Sequence, residues 1–168
     1  MPDPATQGRF VALVNEHRKI LYKVASSYAR TPADRADLEQ EIVAQLWGAF
    51  FRYDEAYRFS TWMYRIALNV AISFYRGETR WLRTVVPAED SILQVAADEP
   101  GTEEDERLPQ LRAFIDQLGE LDRALIILYL DGHRHGTIAE ILGISESNVG
   151  TRIGRIKQRL RRDFANHT

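Results

Sequence analysis

The chain has 168 residues, enough for one domain or two small ones, and its 45% apolar and 27% charged content is that of a folded globular protein, not a disordered or fibrous one. It contains no cysteine, which excludes disulfide scaffolds, cysteine-ligated zinc, thiol nucleophiles and CxxC redox chemistry, and its ten glycines and six prolines favour helices over a turn-rich β fold. The net charge of −2 argues by itself against a nucleic-acid partner, but the charge is segregated: residues 1–86 carry 12 basic and 9 acidic side chains, residues 87–109 carry 1 and 8, and residues 110–168 carry 9 and 7.

The start, MPDPATQGRF, has neither a basic leader region nor an apolar run, and the longest uncharged stretches, such as Ile66 to Tyr75, are ten residues long. A bilayer needs about 20 apolar residues, so the expectation is a soluble, cytoplasmic protein with no membrane insertion. Phe10, Leu13, Val14, Ile20, Leu21 and Val24 recur at helical spacing and predict one amphipathic helix up to Tyr28, imperfect near His17 to Lys19. Thr31, Pro32 and Asp34 then read as an N-cap, a first-turn proline and a dipole-complementing acid. The helix they open carries Leu38, Ile42, Leu46 and Phe50 as its core stripe and leaves Asp37, Gln40, Glu41 and Gln45 on other faces, either as a solvated surface or as a docking one.

From Phe50 to Arg80 aromatic residues interleave with arginines and an asparagine. Single-strand binding requires this mixture, because every base has a face to stack on and a backbone to neutralise. Ser60 or Thr61 is the predicted cap of a third helix with Trp62, Ile66, Val70 and Phe74 inward and Arg65, Asn69 and Arg76 elsewhere. Trp62 and Phe74 read best as core; Tyr57 to Ser60, placed in a loop before the helix, read best as binding residues.

Residues 87–109 contain Pro87, Pro100, Gly101 and Pro109 and little apolar content beyond Ile92, Leu93 and Val95, which predicts an acidic linker between a domain over 1–86 and another over 110–168. Glu103, Glu104, Asp105 and Glu106 have the chemistry of a Mg²⁺ site, but four carboxylates in a row on a tether read better as solvated. Leu108 to Leu118 and Leu121 to Leu130 read as two helices, the second so apolar that it belongs at the centre of a small bundle, with Gly132 ending it.

After the loop HRHG, the run TIAEILGISESNVGTRIGRIKQRLRR has the mechanics of a helix-turn-helix. Ile138, Ile141 and Leu142 face inward, Ala139 admits a crossing helix, Gly143 supplies a left-handed turn residue, and Ser145 caps the next helix. That last helix pairs an apolar stripe, Val149, Ile153, Ile156 and Leu160, with a polar one, Asn148, Arg152, Arg155, Arg159 and Arg162. Such a helix sets its first two turns at base edges and its later arginines near phosphates. Gly150 and Gly154 suggest close approach to DNA or another helix. His133 and His135 form an HxH without further ligands, so no metal and no cofactor are expected.

The order of these parts resembles the extracytoplasmic-function (ECF) class of bacterial RNA polymerase sigma factors over nearly the whole chain. DLEQE at Asp37 to Glu41 with Leu46 and Trp47 is similar to that family's polymerase-binding helix, YRFSTWMYRIALN at Tyr57 to Asn69 to its promoter-melting segment, and the helix-turn-helix to its −35 reader. The resemblance implies an all-α protein of two small domains without catalysis. Asp37, Gln40, Glu41, Gln45 and Trp47 would dock on the clamp of the largest subunit of core RNA polymerase. Tyr57, Arg58, Phe59, Ser60, Thr61, Arg65, Asn69 and Arg76 would hold the melted −10 strand. Ser145, Ser147, Asn148, Thr151, Arg152, Arg155 and Arg159 would read duplex −35 DNA. An anti-sigma factor is a candidate partner. Where housekeeping sigma factors carry two adjacent aromatics as a melting wedge, here Met63 follows Trp62. Two other classes compete with this reading: a stand-alone helix-turn-helix repressor, which would be a dimer on a palindrome, and a metal-dependent enzyme, which lacks any P-loop, GxSxG, HExxH or dinucleotide signature.

Overall fold

The computed structural model describes residues 3–85 and 107–166, and all of the regular structure among them is helical. The described residues form two compact units, 3–85 and 107–166. The acidic run Glu103 to Glu106, and with it the carboxylate cluster, lies outside the described residues.

In the first unit, α1 (Pro4–Glu16) starts on Asp3, whose carboxylate accepts from the Ala5 amide, with Pro4 in its first turn. A single helix to Tyr28 was expected, but the chain breaks at His17 (φ −105°, ψ 22°) and resumes as α2 (Arg18–Tyr28). There the His17 ring Nδ1 donates to the Leu13 carbonyl at 2.9 Å and the ring packs on Phe59, with centroids 5.1 Å apart. The five-residue gap between Val14 and Ile20 in the apolar pattern marks this change of phase.

Thr31 caps α3 (Pro32–Ala49), its hydroxyl accepting from the Asp34 amide at 3.1 Å as expected. Leu38, Ile42 and Leu46 are fully buried on it, each worth roughly 1.5–3 kcal/mol, and Phe50 continues the stripe into a 3₁₀ turn (Phe50–Arg52).

The next helix, α4 (Phe59–Val85), corrects two expectations. It begins before Ser60 and Thr61, with the Arg58 carbonyl accepting the Trp62 amide, so neither of those residues is its cap. Its buried face is Met63, Tyr64, Ala67, Leu68 and Ala71, whereas Trp62, Ile66, Val70 and Phe74 are only half buried. Both stripes are apolar at the same spacing. Ala67 and Ala71 let α2 and α3 approach closely, so packing selects their side of the helix.

In the second unit, α5 (Arg107–Gln117) takes in Pro109 near its start, and α6 (Glu120–Leu130) is buried continuously from Arg123 to Leu128, as a central helix must be. α7 (His135–Leu142) begins inside the expected HRHG loop. Phe114, Leu118, Ile126 and Ile156 form the core where α5, α6 and the last helix, α8 (Glu146–Ala165), meet. Arg123, 3% exposed, donates through Nη2 to the Asp116 and Leu118 carbonyls at 2.8 and 3.2 Å and so satisfies the end of α5.

Candidate nucleic-acid interface

The turn between α7 and α8 is set by two residues. Gly143 has φ +69°, a conformation costly for any residue with a Cβ, and its amide donates to the Ala139 carbonyl at 2.9 Å. Ser145 Oγ then accepts from the Asn148 amide at 3.0 Å and fixes where α8 starts. Val149, Ile153 and Ile156 anchor α8 from below. The opposite side presents Ser147, Asn148, Thr151, Arg155 and Arg159, all exposed.

Not every side chain on that side is equally available. The Thr151 hydroxyl donates to the Ser147 carbonyl at 3.0 Å, the Arg159 guanidinium lies 5.7 Å from the Phe114 ring centroid, and Ser145 is committed to its cap. Arg152 is half buried and ion-paired with Asp122 of α6 at 2.9 Å. Of the two glycines, Gly150 faces α7, where a Cβ would meet His135 Nδ1 at 3.6 Å, while Gly154 has open space around its missing Cβ.

In the first unit a second polar surface is built on an aromatic floor. Phe59 was expected among the strand-binding residues, yet it is 6% exposed, with ring centroids 5.5 Å from Tyr53 and 5.4 Å from Trp62. It holds the loop from beneath. The Tyr53 hydroxyl donates to the Tyr57 carbonyl at 2.9 Å, Asp54 accepts from the Ala56 amide at 2.9 Å, and Arg9 of α1 pairs with Glu55 across 46 residues.

Burial, with the Glu55 and Asp54 carboxylates outweighing Arg9, raises the Tyr53 phenol above its ordinary 10.0, so the hydroxyl stays protonated as a donor. Tyr57 is left 58% exposed beside exposed Arg58. Arg65, Asn69 and Arg76 are also exposed, and helical geometry sets the three within about 40° of one another around α4. Ser60 and Thr61 are half buried in the first turn.

A third surface lies on α3. Asp37, Gln40, Glu41 and Gln45 are exposed, and Gln45 Nε2 donates to Glu41 Oε1 at 3.1 Å. Trp47 is half buried against Phe10, with centroids 4.9 Å apart. Beside it, Phe10, Val11, Leu21, Gln40, Val43 and Trp47 line a cleft of about 560 Å³ that the sequence did not announce.

Two side chains were also missed: Asp122, which pairs with Arg152 of α8, and Arg123, which binds the end of α5. Arg123 had a signal, a lone arginine inside an apolar helix; Asp122 had none. Among the described residues no group of His, Asp and Glu is arranged to hold a metal, and His133 instead lies 3.4 Å from Asp131. No described helix is long and apolar enough to cross a membrane.

A capped basic helix after a glycine turn, on a bundle separate from an aromatic and arginine surface, defines a two-module helical protein of the DNA-binding, helix-turn-helix class. Residues 13–81 match the family model for sigma-70 region 2 and residues 108–160 that for sigma-70 region 4. The chain is 30% identical to the RNA polymerase sigma factor CnrH of Cupriavidus metallidurans, over 92% of this chain and 85% of that one. It is 28% identical to the ECF RNA polymerase sigma factor SigE of Mycolicibacterium smegmatis over 99% of its own length, and spans 65% of that relative, slightly under two thirds.

Two solved structures share the fold. RpoE of Bartonella quintana, crystallised with the anti-sigma factor NepR, has a TM-score of 0.69 at 19% identity, covering 93% of this chain and 94% of that one. CnrH in complex with the cytosolic domain of CnrY has a TM-score of 0.69 at 23% identity, covering 96% and 91%. The chain belongs to the ECF family of sigma factors. Sigma factors are not enzymes.

Proposed function

We propose that this chain binds core RNA polymerase and directs promoter-specific initiation by reading duplex −35 DNA with α8 and the melted −10 strand with the surface around Tyr57 and α4. The observation that carries this reading is the pairing of two different kinds of polar surface. One is an exposed basic helix of the shape that enters a major groove, with Ser147, Asn148, Thr151 and Arg155 toward base edges and Arg159 toward phosphates. The other combines Tyr57 and Arg58 with Arg65, Asn69 and Arg76, which suits bases already out of the stack. Duplex DNA needs no opening to be read in its major groove, whereas a −10 base must be unstacked before its pairing edge is accessible.

On this reading Asp37, Gln40, Glu41, Gln45 and Trp47 dock α3 on the clamp of the largest polymerase subunit. One recognition helix makes a small interface, so tight promoter binding depends on the polymerase. Relatives solved with NepR and with the cytosolic domain of CnrY support a protein partner that sequesters this chain as well. Run-off transcription with core enzyme tests the proposal: the chain should direct initiation at specific start sites. Failure to bind core, or palindrome binding as a dimer without it, would instead fit a stand-alone repressor.

A further inference from the structure

Arg152 lies on the polar side of α8, but its guanidinium is engaged within the protein. Its Nη1 donates to Asp122 Oδ1 at 2.9 Å and its Nε donates to Asn148 Oδ1 at 3.2 Å. Asp122 and Arg152 side chains are 33% and 35% exposed, so the pair sits at the rim of the unit, where α6 passes beside the start of α8. Asp122 is 30 residues away in sequence and belongs to neither helix of the helix-turn-helix.

The donor and acceptor chemistry has two consequences. Arginine has five N–H donors and no acceptor, so the Asn148 atom facing it is the carbonyl oxygen and the Asn148 amide group points the other way. A free asparagine pairs with adenine through its oxygen and amide together; with the oxygen turned back onto Arg152, Asn148 presents its N–H hydrogens to the acceptors of guanine or thymine. The charge of Arg152 is meanwhile matched by Asp122.

We infer that Asp122 is a positioning residue for duplex recognition: it holds Arg152 against Asn148, which turns the Asn148 amide outward as a donor and keeps Arg152 off the DNA backbone. This rests on the reading of α8 as the duplex-binding helix. Asp122 itself touches no DNA.

The test uses the full chain, measuring the salt dependence of its binding to mixed-sequence duplex and its base preferences by selection from randomised duplexes. Asp122→Ala should release Arg152 to one phosphate, steepening the log–log salt slope by about 0.9. It should also admit adenine at the base position whose preference is lost in Asn148→Ala. Arg152→Ala should leave the slope unchanged, and Asp122→Ala/Arg152→Ala should match Arg152→Ala alone, because Asp122 acts only through Arg152. A slope change on Asp122→Ala that persists without Arg152 would mean Asp122 acts by its own charge and overturns the inference.

If Asp122→Ala fails to fold, Arg152→Ala still decides: a shallower slope shows Arg152 on a phosphate in the native protein and overturns it. Arg155→Ala separates the two levels. Its slope should fall by about 0.9; that result with no change in Asp122→Ala sinks this inference alone, and no change in either sinks the duplex reading too.

Discussion

A buried guanidinium that bonds the carbonyls at a helix end does different work from the exposed arginines of α8. Arg123 donates to two carbonyls at the end of α5. Arg123→Ala removes both charge-assisted bonds, one of them buried, and should cost about 2–3 kcal/mol, read as a lower unfolding midpoint in urea.

Tyr53 carries a pH dependence of known sign. Its phenol is raised above 10.0, so its contribution to loop stability is complete below that value and is lost as pH rises through the elevated pKa. Ultraviolet titration should show a late-ionising component that is lost in Tyr53→Phe. Asn69→Ala should spare duplex binding and impair open-complex formation, seen as lost permanganate reactivity of −10 thymines; loss of both steps would contradict the division between the two surfaces. Asp122 and Phe59 were not legible as they act: the partner of Asp122, Arg152, lies 30 residues on, and Phe59 sits among rings from three segments, His17, Tyr53 and Trp62, of which only Trp62 is within a turn.

Helices were legible where their signals are local. The α3 start at Thr31 and Pro32, the Gly143 turn, the Ser145 cap and the Val149 to Leu160 stripe each depend on residues within a turn or two, and each stands as expected. Gly143→Ala should therefore destabilise the second unit by about 1–2 kcal/mol, measurable by thermal melting, because only glycine adopts φ +69° without strain. The α4 start and its buried face were not legible. Apolar residues cover a broad arc of that helix, and periodicity alone gives two acceptable stripes one residue apart. Likewise the break at His17 left only a phase gap in the pattern, and the ring bond that accompanies it, to the Leu13 carbonyl, is not written in the periodicity.

At the scale of the molecule, each unit has its own core, Leu38, Ile42 and Met63 in one and Phe114, Leu125 and Leu128 in the other. Leu128→Ala should cost about 2–5 kcal/mol in the second unit and weaken duplex binding, while affinity for core polymerase, placed here on α3, stays near its original value; a pull-down with core enzyme checks this. Equal loss of both would join functions that the two cores separate.

The sequence by itself determined the helical class, the helix-turn-helix, the charge segregation and the family, because these rest on composition, on spacing within a few residues and on the order of motifs along the chain. Tertiary structure alone decided that Phe59 supports the loop from inside, that Ala67 and Ala71 mark the packed side of α4, and that Arg152 answers to Asp122. Those outcomes arise from pairings between separate segments, Arg152 with Asp122 across 30 residues and His17 with Phe59 across 42, or from apolar stripes competing for one packed side, and they carry no period to be read in advance.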